Sequence, residues 1–213
     1  MKKNAIIFGD SYSTFDGFIP EGYEVFYTPF EYYDTDVRNV SETWWHQVVT
    51  EADLNLVLND SWSGSTICYT GYDNVDCSES SSFICRLKKL IAKGFFEENK
   101  IDTVFVFGGT NDSWSDDPLG EMKFDDFDKS ELYSVLPGIC YFLKLLRETL
   151  PDADIYCLIN TEIKQEIASC LEKVSEKYGM TPVTFDTIDK TGDHPTIKGM
   201  KEIKDTVLKA MNR

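Results

Sequence analysis

Five short apolar runs alternate along the chain with longer amphipathic segments, and this alternation restricts the fold more than any other feature. The runs are rich in β-branched and aromatic residues and end at Gly, Asp or Asn, which predicts β-strands at residues 5–8, 54–58, 103–107, 155–159 and 182–185. Each run is apolar on both faces, as in a parallel sheet covered on two sides. The pattern predicts an α/β fold, a flavodoxin-like three-layer α/β/α sandwich with a five-stranded parallel sheet.

Segments with helical periodicity fill the gaps between these strands. Ser41 and Ser82 stand where helix N-caps are expected, and Gly94 and Gly179 follow predicted helix ends. Pro195 suits the first turn of a last helix, because its missing N–H would have no partner there. The predicted helices cover residues 42–52, 83–93, 130–150, 162–178 and 195 to about 211, with a break or restart at Pro137.

The chain is predicted to be a single domain, residues 1–213. With 42% hydrophobic residues it has enough apolar side chains for one well-filled core. Two connections exceed the roughly 12 residues beyond which loops usually carry function or disorder: an insertion at about 12–40 and a segment at 113–129. The insertion is rich in aromatic residues, because eleven of the 29 in the chain lie between Tyr12 and Trp45.

Charge and hydropathy exclude several classes of partner. The net charge is −16, with 37 acidic and 21 basic residues, whereas binding to nucleic acid or an anionic membrane needs clustered Lys and Arg. Only residues 5–8 are apolar before Gly9 and Asp10, too few for a signal peptide. No run approaches the roughly 20 apolar residues that span a bilayer. We expect a cytoplasmic protein, with export as the alternative if a signal peptide has been removed, and no nucleic-acid or membrane partner.

The cysteines and histidines do not predict a metal site. The six cysteines have no CxxC spacing, and Cys140, Cys157 and Cys170 lie in apolar periodic segments, which favours reduced core thiols. With two histidines and no cysteine pair, the chain offers few ligands for a transition metal. The acidic run at 125–128 lacks the spacing of a calcium loop. No metal site is expected from these residues.

Ser11 and His194 are the candidate catalytic pair. Ser11 follows the first predicted strand, at the carboxyl end where ligands collect in open α/β sheets. A serine hydroxyl needs a neutral imidazole to take its proton. His194 precedes Pro195 and is expected in a turn before the last helix, at the same sheet edge. His46, the other histidine, falls within a helical pattern and is expected to be structural.

Gly64 and Asn111 are candidates for binding the oxyanion that serine attack on a carbonyl would form. They follow the second and third predicted strands. The N–H groups of Ser11 and Gly64, with the side-chain amide of Asn111, would supply uncharged donors at one edge. Glycine allows close backbone approach. Taken singly, each is also an ordinary turn residue.

Four short blocks in this order resemble the SGNH/GDSL hydrolase family, named for its Ser, Gly, Asn and His: residues 9–13 (GDSYS), 63–64 (SG), 109–112 (GTND) and 194–195 (HP). The resemblance spans nearly the whole chain. It implies a flavodoxin-like fold, hydrolysis of esters or acetyl groups without metal or cofactor, and the roles given above for Ser11, Gly64, Asn111 and His194.

The acid that orients the histidine is less clearly marked. The family usually has an aspartate three residues before its histidine, and that position is Thr191 here. We predict Asp189, because Gly192 gives the intervening loop freedom to fold back. Asp193 is adjacent to the histidine, so its side chain would diverge, and Asp186 is a more distant candidate. A backbone carbonyl is a further alternative and would leave a dyad.

Aromatic residues near these blocks are candidates for binding substrate. Trp62 and Trp114 adjoin Gly64 and Asn111, and with Tyr12 they are predicted to contact a carbohydrate or acyl group; the rings of the insertion would equally build its own small core. The predicted function is hydrolysis of carboxylic esters, including O-acetyl groups on carbohydrate, through an acyl-enzyme. The alternative is a non-catalytic flavodoxin-like module that binds flavin or glycan.

Overall fold

The main sheet of the protein has five parallel strands in the spatial order β2-β1-β5-β6-β7. The computed structural model describes residues 2–212. Two antiparallel pairs, β3 with β4 and β8 with β9, lie outside this sheet. The strands are β1 (Asn4–Gly9), β2 (Asn55–Ser61), β3 (Thr70–Gly71), β4 (Val75–Asp76), β5 (Thr103–Phe107), β6 (Asp154–Ile159), β7 (Thr181–Thr184), β8 (Lys190–Thr191) and β9 (His194–Pro195).

Helices cover both faces of the sheet, which confirms the predicted three-layer α/β/α architecture. They are α1 (Trp44–Glu51), α2 (Phe83–Ala92), α3 (Phe95–Glu98), α4 (Thr110–Trp114), α5 (Val135–Thr149), α6 (Gln165–Lys177) and α7 (Ile197–Met211). Short 3-10 turns precede α1 and α5 at Val40–Glu42 and Lys129–Tyr133. Of the helices in residues 2–212, none has the length and apolar character to cross a bilayer.

The alternation of side chains along β1 explains why the strand is apolar throughout. Ile6 and Phe8 point into a core beneath α2, α5 and α6, whereas Ala5 and Ile7 point into a core beneath α1 and α7. Successive strand residues face opposite sides of a sheet, so a strand covered on both faces carries no polar position. β1 is thus an interior strand of the sheet, between β2 and β5, covered on both faces.

Four of the five predicted helices begin two to five residues later in the structure, and two of the predictions that differ involve proline. The last helix begins at Ile197, two residues later than predicted, because Pro195 pairs with Lys190 across β8 and β9. Thr196 then caps the helix by accepting the N–H of Gly199. Pro137 neither breaks nor restarts a helix: it lies in the first turn of α5, where backbone N–H groups have no partner inside the helix.

The insertion at about 12–40 divides its aromatic rings between the core and the surface. Phe15 and Tyr27 are buried in the core beneath α1 and α7, and the Tyr27 hydroxyl donates to the Pro195 carbonyl at 2.9 Å. Phe30, Tyr32 and Tyr33 are exposed. One side of the insertion therefore builds core, as the sequence allows, and the other faces solvent beside the end of β9.

Candidate active site

The carboxyl ends of three adjacent strands bring the predicted site residues to one edge of the sheet. Gly9 at the end of β1 lies between Ser61 of β2 and Phe107 of β5. A Cβ atom at Gly9 would clash with the Ser61 hydroxyl and with the Ser13 side chain, so only glycine permits this approach. The turn after Gly9 is fixed by Asp10, whose carboxylate accepts the Tyr12 N–H at 3.0 Å. Ser11 is thereby held at the edge.

Ser11 and His194 meet directly although 183 positions separate them. The Ser11 Oγ lies 2.9 Å from His194 Nε2. His194 Nδ1 lies 3.2 Å from the Gly192 carbonyl oxygen, which can only accept a hydrogen bond. Nδ1 therefore carries the proton, and Nε2 is left with a lone pair that accepts the hydroxyl proton of Ser11. The pair has the geometry expected of a nucleophile and its base.

The surroundings of the imidazole keep it neutral. The pKa of His194 is lowered mainly by burial and also by the charge of Lys190, while the Gly192 carbonyl and Asp193 oppose the shift. Phe26 from the insertion covers one face of the ring, with centroids 3.6 Å apart and planes at 6°. A neutral imidazole can take a proton from a hydroxyl, whereas an imidazolium cannot. Sequence reasoning missed Phe26, because nothing local marks which insertion ring reaches the histidine.

The predicted acid, Asp189, does not contact the imidazole in the structure. Its carboxylate accepts hydrogen bonds from the Thr196 hydroxyl and from Lys198 Nζ, the latter at 3.1 Å. Its carbonyl accepts the Thr196 N–H at 3.0 Å, so Asp189 is committed to the start of α7. The group at His194 Nδ1 is the Gly192 carbonyl. The structure thus differs from the prediction for Asp189. The group beside the imidazole is the predicted alternative, a backbone carbonyl.

The candidate oxyanion donors are three N–H groups, on Ser11, Gly64 and Asn111. Gly64 has φ of +78°, a left-handed conformation that favours glycine. Within residues 2–212, neither its N–H nor that of Ser11 has a protein acceptor. Asn111, in the first turn of α4, donates one amide hydrogen to the Ser65 carbonyl at 3.0 Å and keeps the second. These groups have the chemistry of an oxyanion site.

A buried arginine that sequence reasoning missed connects the segments next to Ser11 and Gly64. Arg86 of α2 forms an ion pair with Asp60 at 2.9 Å, and both side chains are almost fully buried. The guanidinium also donates to the Gly9 carbonyl and to the Ser65 hydroxyl, each at 3.2 Å. The available signal was its position three residues after Phe83, on the apolar face of the predicted helix. Arg86 links the loops before Ser11 and after Gly64.

Two buried carboxyl groups brace the same edge. Burial raises the pKa of Asp112 to about 6, and its carboxylate accepts the N–H groups of Ile67 and Cys68. Burial raises the pKa of Asp10 to about 7. Asp112 thus ties the loop after Gly64 to α4, next to Asn111.

The predicted substrate-binding aromatic residues have different environments. Trp114 is 37% exposed and its ring centroid lies 6.3 Å from that of His194. Trp62 is half-buried and stacks on Tyr23 at 4.1 Å. Tyr12 is fully buried, and its hydroxyl donates to the Asp193 carbonyl. In the structure the Tyr12 ring is not accessible to solvent, and Tyr12 supports the turn that carries His194.

Known proteins share this fold and its motifs. A family model described as GDSL-like Lipase/Acylhydrolase matches residues 3–211. The chain is 36% identical to a Bacteroides ovatus ATCC 8483 protein provisionally described as a GDSL-like lipase, with TM-score 0.92 over 100% of this chain and 99% of that one. A similarly described protein from Bacteroides uniformis ATCC 8492 is 38% identical, with TM-score 0.91 over 99% and 96%.

A more distant solved structure shares the fold alone. It is a family two carbohydrate esterase from Clostridium thermocellum in complex with cellohexaose, 15% identical, with TM-score 0.63 over 100% of this chain and 64% of that one. Comparison with curated proteins gives no match.

Proposed function

The chain belongs to the GDSL-like lipase/acylhydrolase family and is an esterase, and on that premise we propose that Ser11 and His194 catalyse removal of O-acetyl groups from carbohydrate. The observation that carries the catalytic assignment is the 2.9 Å contact between Ser11 Oγ and His194 Nε2. The fixed proton on Nδ1 makes Nε2 the acceptor. Family membership and this contact favour hydrolysis over the alternative of a non-catalytic flavodoxin-like module.

The proposed reaction has two acyl transfers. Ser11 Oγ attacks the ester carbonyl carbon while its proton passes to His194 Nε2. The resulting oxyanion is held by the N–H groups of Ser11 and Gly64 and by the free amide hydrogen of Asn111. The bond to the alcohol oxygen then breaks, and Nε2 gives that oxygen the proton. Water attacks the acyl-enzyme in the same way, releasing the carboxylic acid and restoring Ser11.

In this proposal the Gly192 carbonyl, rather than a carboxylate, orients the imidazole. We expect Asp189→Asn to retain kcat/KM for p-nitrophenyl acetate within about threefold of the parent, because the Asp189 carboxylate bonds to Thr196 and Lys198 instead of His194. Loss of a triad aspartate typically costs about 10⁴-fold in kcat. Asp193→Asn is the matched variant on the other side of Gly192. A loss of that size in either variant would contradict the dyad.

The accessibility of the site supports a short acyl group. Ser11 is 4% exposed and Asn111 is 3% exposed as whole residues, so the ester carbonyl must enter a narrow opening. The half-exposed rings of Trp62 and Trp114 suit the apolar faces of a sugar. The complex of the Clostridium thermocellum carbohydrate esterase with cellohexaose is consistent with this assignment for a protein of the same fold.

A panel of esters tests the acetyl and carbohydrate assignments. We expect kcat/KM for p-nitrophenyl esters to fall at least tenfold from acetate to octanoate, because a longer chain does not fit beside the buried Ser11. Acetate release from an acetylated cello- or xylo-oligosaccharide can be measured by chromatography. Its KM should be lower than the KM for p-nitrophenyl acetate. Faster hydrolysis of the octanoate, or no acetate release from the oligosaccharide, would overturn the corresponding part of the proposal.

Trp114→Ala separates sugar binding from ester chemistry in that panel. It should raise KM for the acetylated oligosaccharide and leave KM for p-nitrophenyl acetate within about twofold, because stacking contributes only when a sugar is present. Trp45→Phe, a change at a ring buried in the core beneath α1 and α7, is the control for general effects of losing an indole.

A further inference from the structure

Tyr72 stands at the edge of the candidate oxyanion site on a short hairpin that the catalytic assignment does not use. It follows β3, and the turn to β4 contains Asp73 and Asn74, both at positive φ. The hairpin is anchored to the segment before α5, because Tyr69 N–H donates to the Leu132 carbonyl at 2.8 Å. The Tyr72 side chain is therefore presented by a fixed support rather than by a free loop.

The hydrogen bonds around Asn111 determine which way its amide points. The Ser65 carbonyl can only accept, so the group 3.0 Å from it must be Nδ2. Oδ1 therefore faces the Tyr72 hydroxyl, 2.9 Å away, and Tyr72 must be the donor. The assignment follows from the chemistry of the partners and does not depend on distinguishing nitrogen from oxygen in the side chain.

The Tyr72 hydroxyl remains protonated at working pH and can always donate. Burial raises the pKa of this phenol to about 12, helped by the negative charges of Asp10, Asp112 and Asp117. A permanent donor to Oδ1 also polarises the amide, and this strengthens the hydrogen bonds that its NH₂ group donates. Both effects act on the hydrogen of Asn111 that has no acceptor among the described residues.

We propose that Tyr72 is a positioning residue that holds the Asn111 amide with its free N–H directed at the developing oxyanion. The inference rests on the proposed function of Asn111 and extends it to a residue outside the four motif blocks. Without the hydroxyl, Asn111 keeps only its bond to Ser65, and a buried Oδ1 loses its donor. The amide is then free to rotate away from the position that the transition state requires.

Tyr72→Phe tests this role with minimal change of shape. We expect kcat for p-nitrophenyl acetate to fall about tenfold, less than the 10²–10³-fold typical of removing an oxyanion donor itself. KM should stay within about twofold, because both acylation and deacylation pass through the oxyanion while substrate binding does not. A rise in KM at unchanged kcat would make Tyr72 a substrate contact and overturn the positioning role.

A double-mutant cycle with Asn111→Ala identifies the route by which Tyr72 acts. In the Asn111→Ala background, Tyr72→Phe should cause no further loss of kcat, because the amide that it positions is gone. An equal loss in both backgrounds would overturn the proposal. If Asn111→Ala lowers kcat while Tyr72→Phe alone does not, only the role of Tyr72 fails. If Asn111→Ala itself leaves kcat intact, the oxyanion role in the proposed function fails with it.

Tyr133→Phe is the matched control. Tyr133 lies beside the same hairpin, and its hydroxyl donates to Asp76 at 3.0 Å, away from Asn111. This variant should keep the parent kcat, and thermal unfolding midpoints should agree among the single variants. A tenfold loss in Tyr133→Phe would mean that any loosening of the hairpin lowers kcat, which would overturn the specific role of Tyr72.

Discussion

Ser11→Ala is expected to lower kcat for p-nitrophenyl acetate by about 10⁴-fold or more and to abolish labelling by a serine-directed fluorophosphonate. The nucleophile forms a covalent bond in the proposed reaction, and loss of a catalytic serine typically leaves only the residual rate that binding and oxyanion donors provide. His194→Ala should produce a similar loss, because nothing then takes the proton from Oγ.

Ser13→Ala is the control for the Ser11 experiment. Ser13 lies in the same turn and is fully buried, and its hydroxyl accepts a hydrogen bond from Trp44 Nε1. This variant should still be labelled, because the Ser13 hydroxyl that it lacks has no base beside it in the parent and is not the group that reacts. Mass spectrometry of the labelled peptide should place the phosphonyl group on residue 11. Labelling that survives in Ser11→Ala would remove Ser11 from the reaction.

Arg86→Met is expected to lower the free energy of unfolding by about 3–5 kcal/mol, the usual cost of breaking a buried ion pair from one side. Asp60 would be left as a buried, uncompensated charge. The carbonyl of Gly9 would also lose a donor, so the turn that carries Ser11 should loosen and kcat should fall with stability. Urea or guanidinium unfolding followed by circular dichroism measures the change.

Two variants separate the charge effect from the effect of altering α2. Lys89→Met changes an exposed residue on the same helix and should cost less than about 0.5 kcal/mol. Arg86→Met combined with Asp60→Asn should recover part of the lost stability, because no unpaired charge remains in the interior. A loss below about 1 kcal/mol in Arg86→Met alone would show that the guanidinium is not a structural brace.

The architecture was predictable because its determinants are local and repeated. Short runs that are apolar on both faces predict buried parallel strands, and the segments between them are long enough for crossover helices. The start of α7 was misplaced because Pro195 pairs with Lys190, a contact that no helix-capping pattern encodes. Pro137 was misread for a related reason: its effect depends on where α5 begins, at Val135, which the 3-10 turn before it sets.

The residues of the candidate site likewise divide into those marked by a local sequence signal and those set by tertiary contacts. Ser11 and His194 were found because turns at the carboxyl ends of parallel strands share one edge of the sheet. Asp189 was preferred as the acid because Gly192 could let the loop fold back, but an aspartate before a helix serves equally well to hold the helix start, as it does here with Thr196. Phe26 and Tyr72 were not identifiable, because their contacts depend on how two loops fold in three dimensions.

The position of Ser11 after the first strand and of His194 before the last helix has a consequence for biosynthesis. A ribosome completes the serine 183 residues before the histidine, so a nascent chain carries the hydroxyl long before His194 is available to accept its proton. In the proposed mechanism, a fragment that ends before His194 would carry the nucleophile without its base. In the proposed mechanism, hydrolysis therefore begins only once the turn that carries His194 has folded against the carboxyl end of β1.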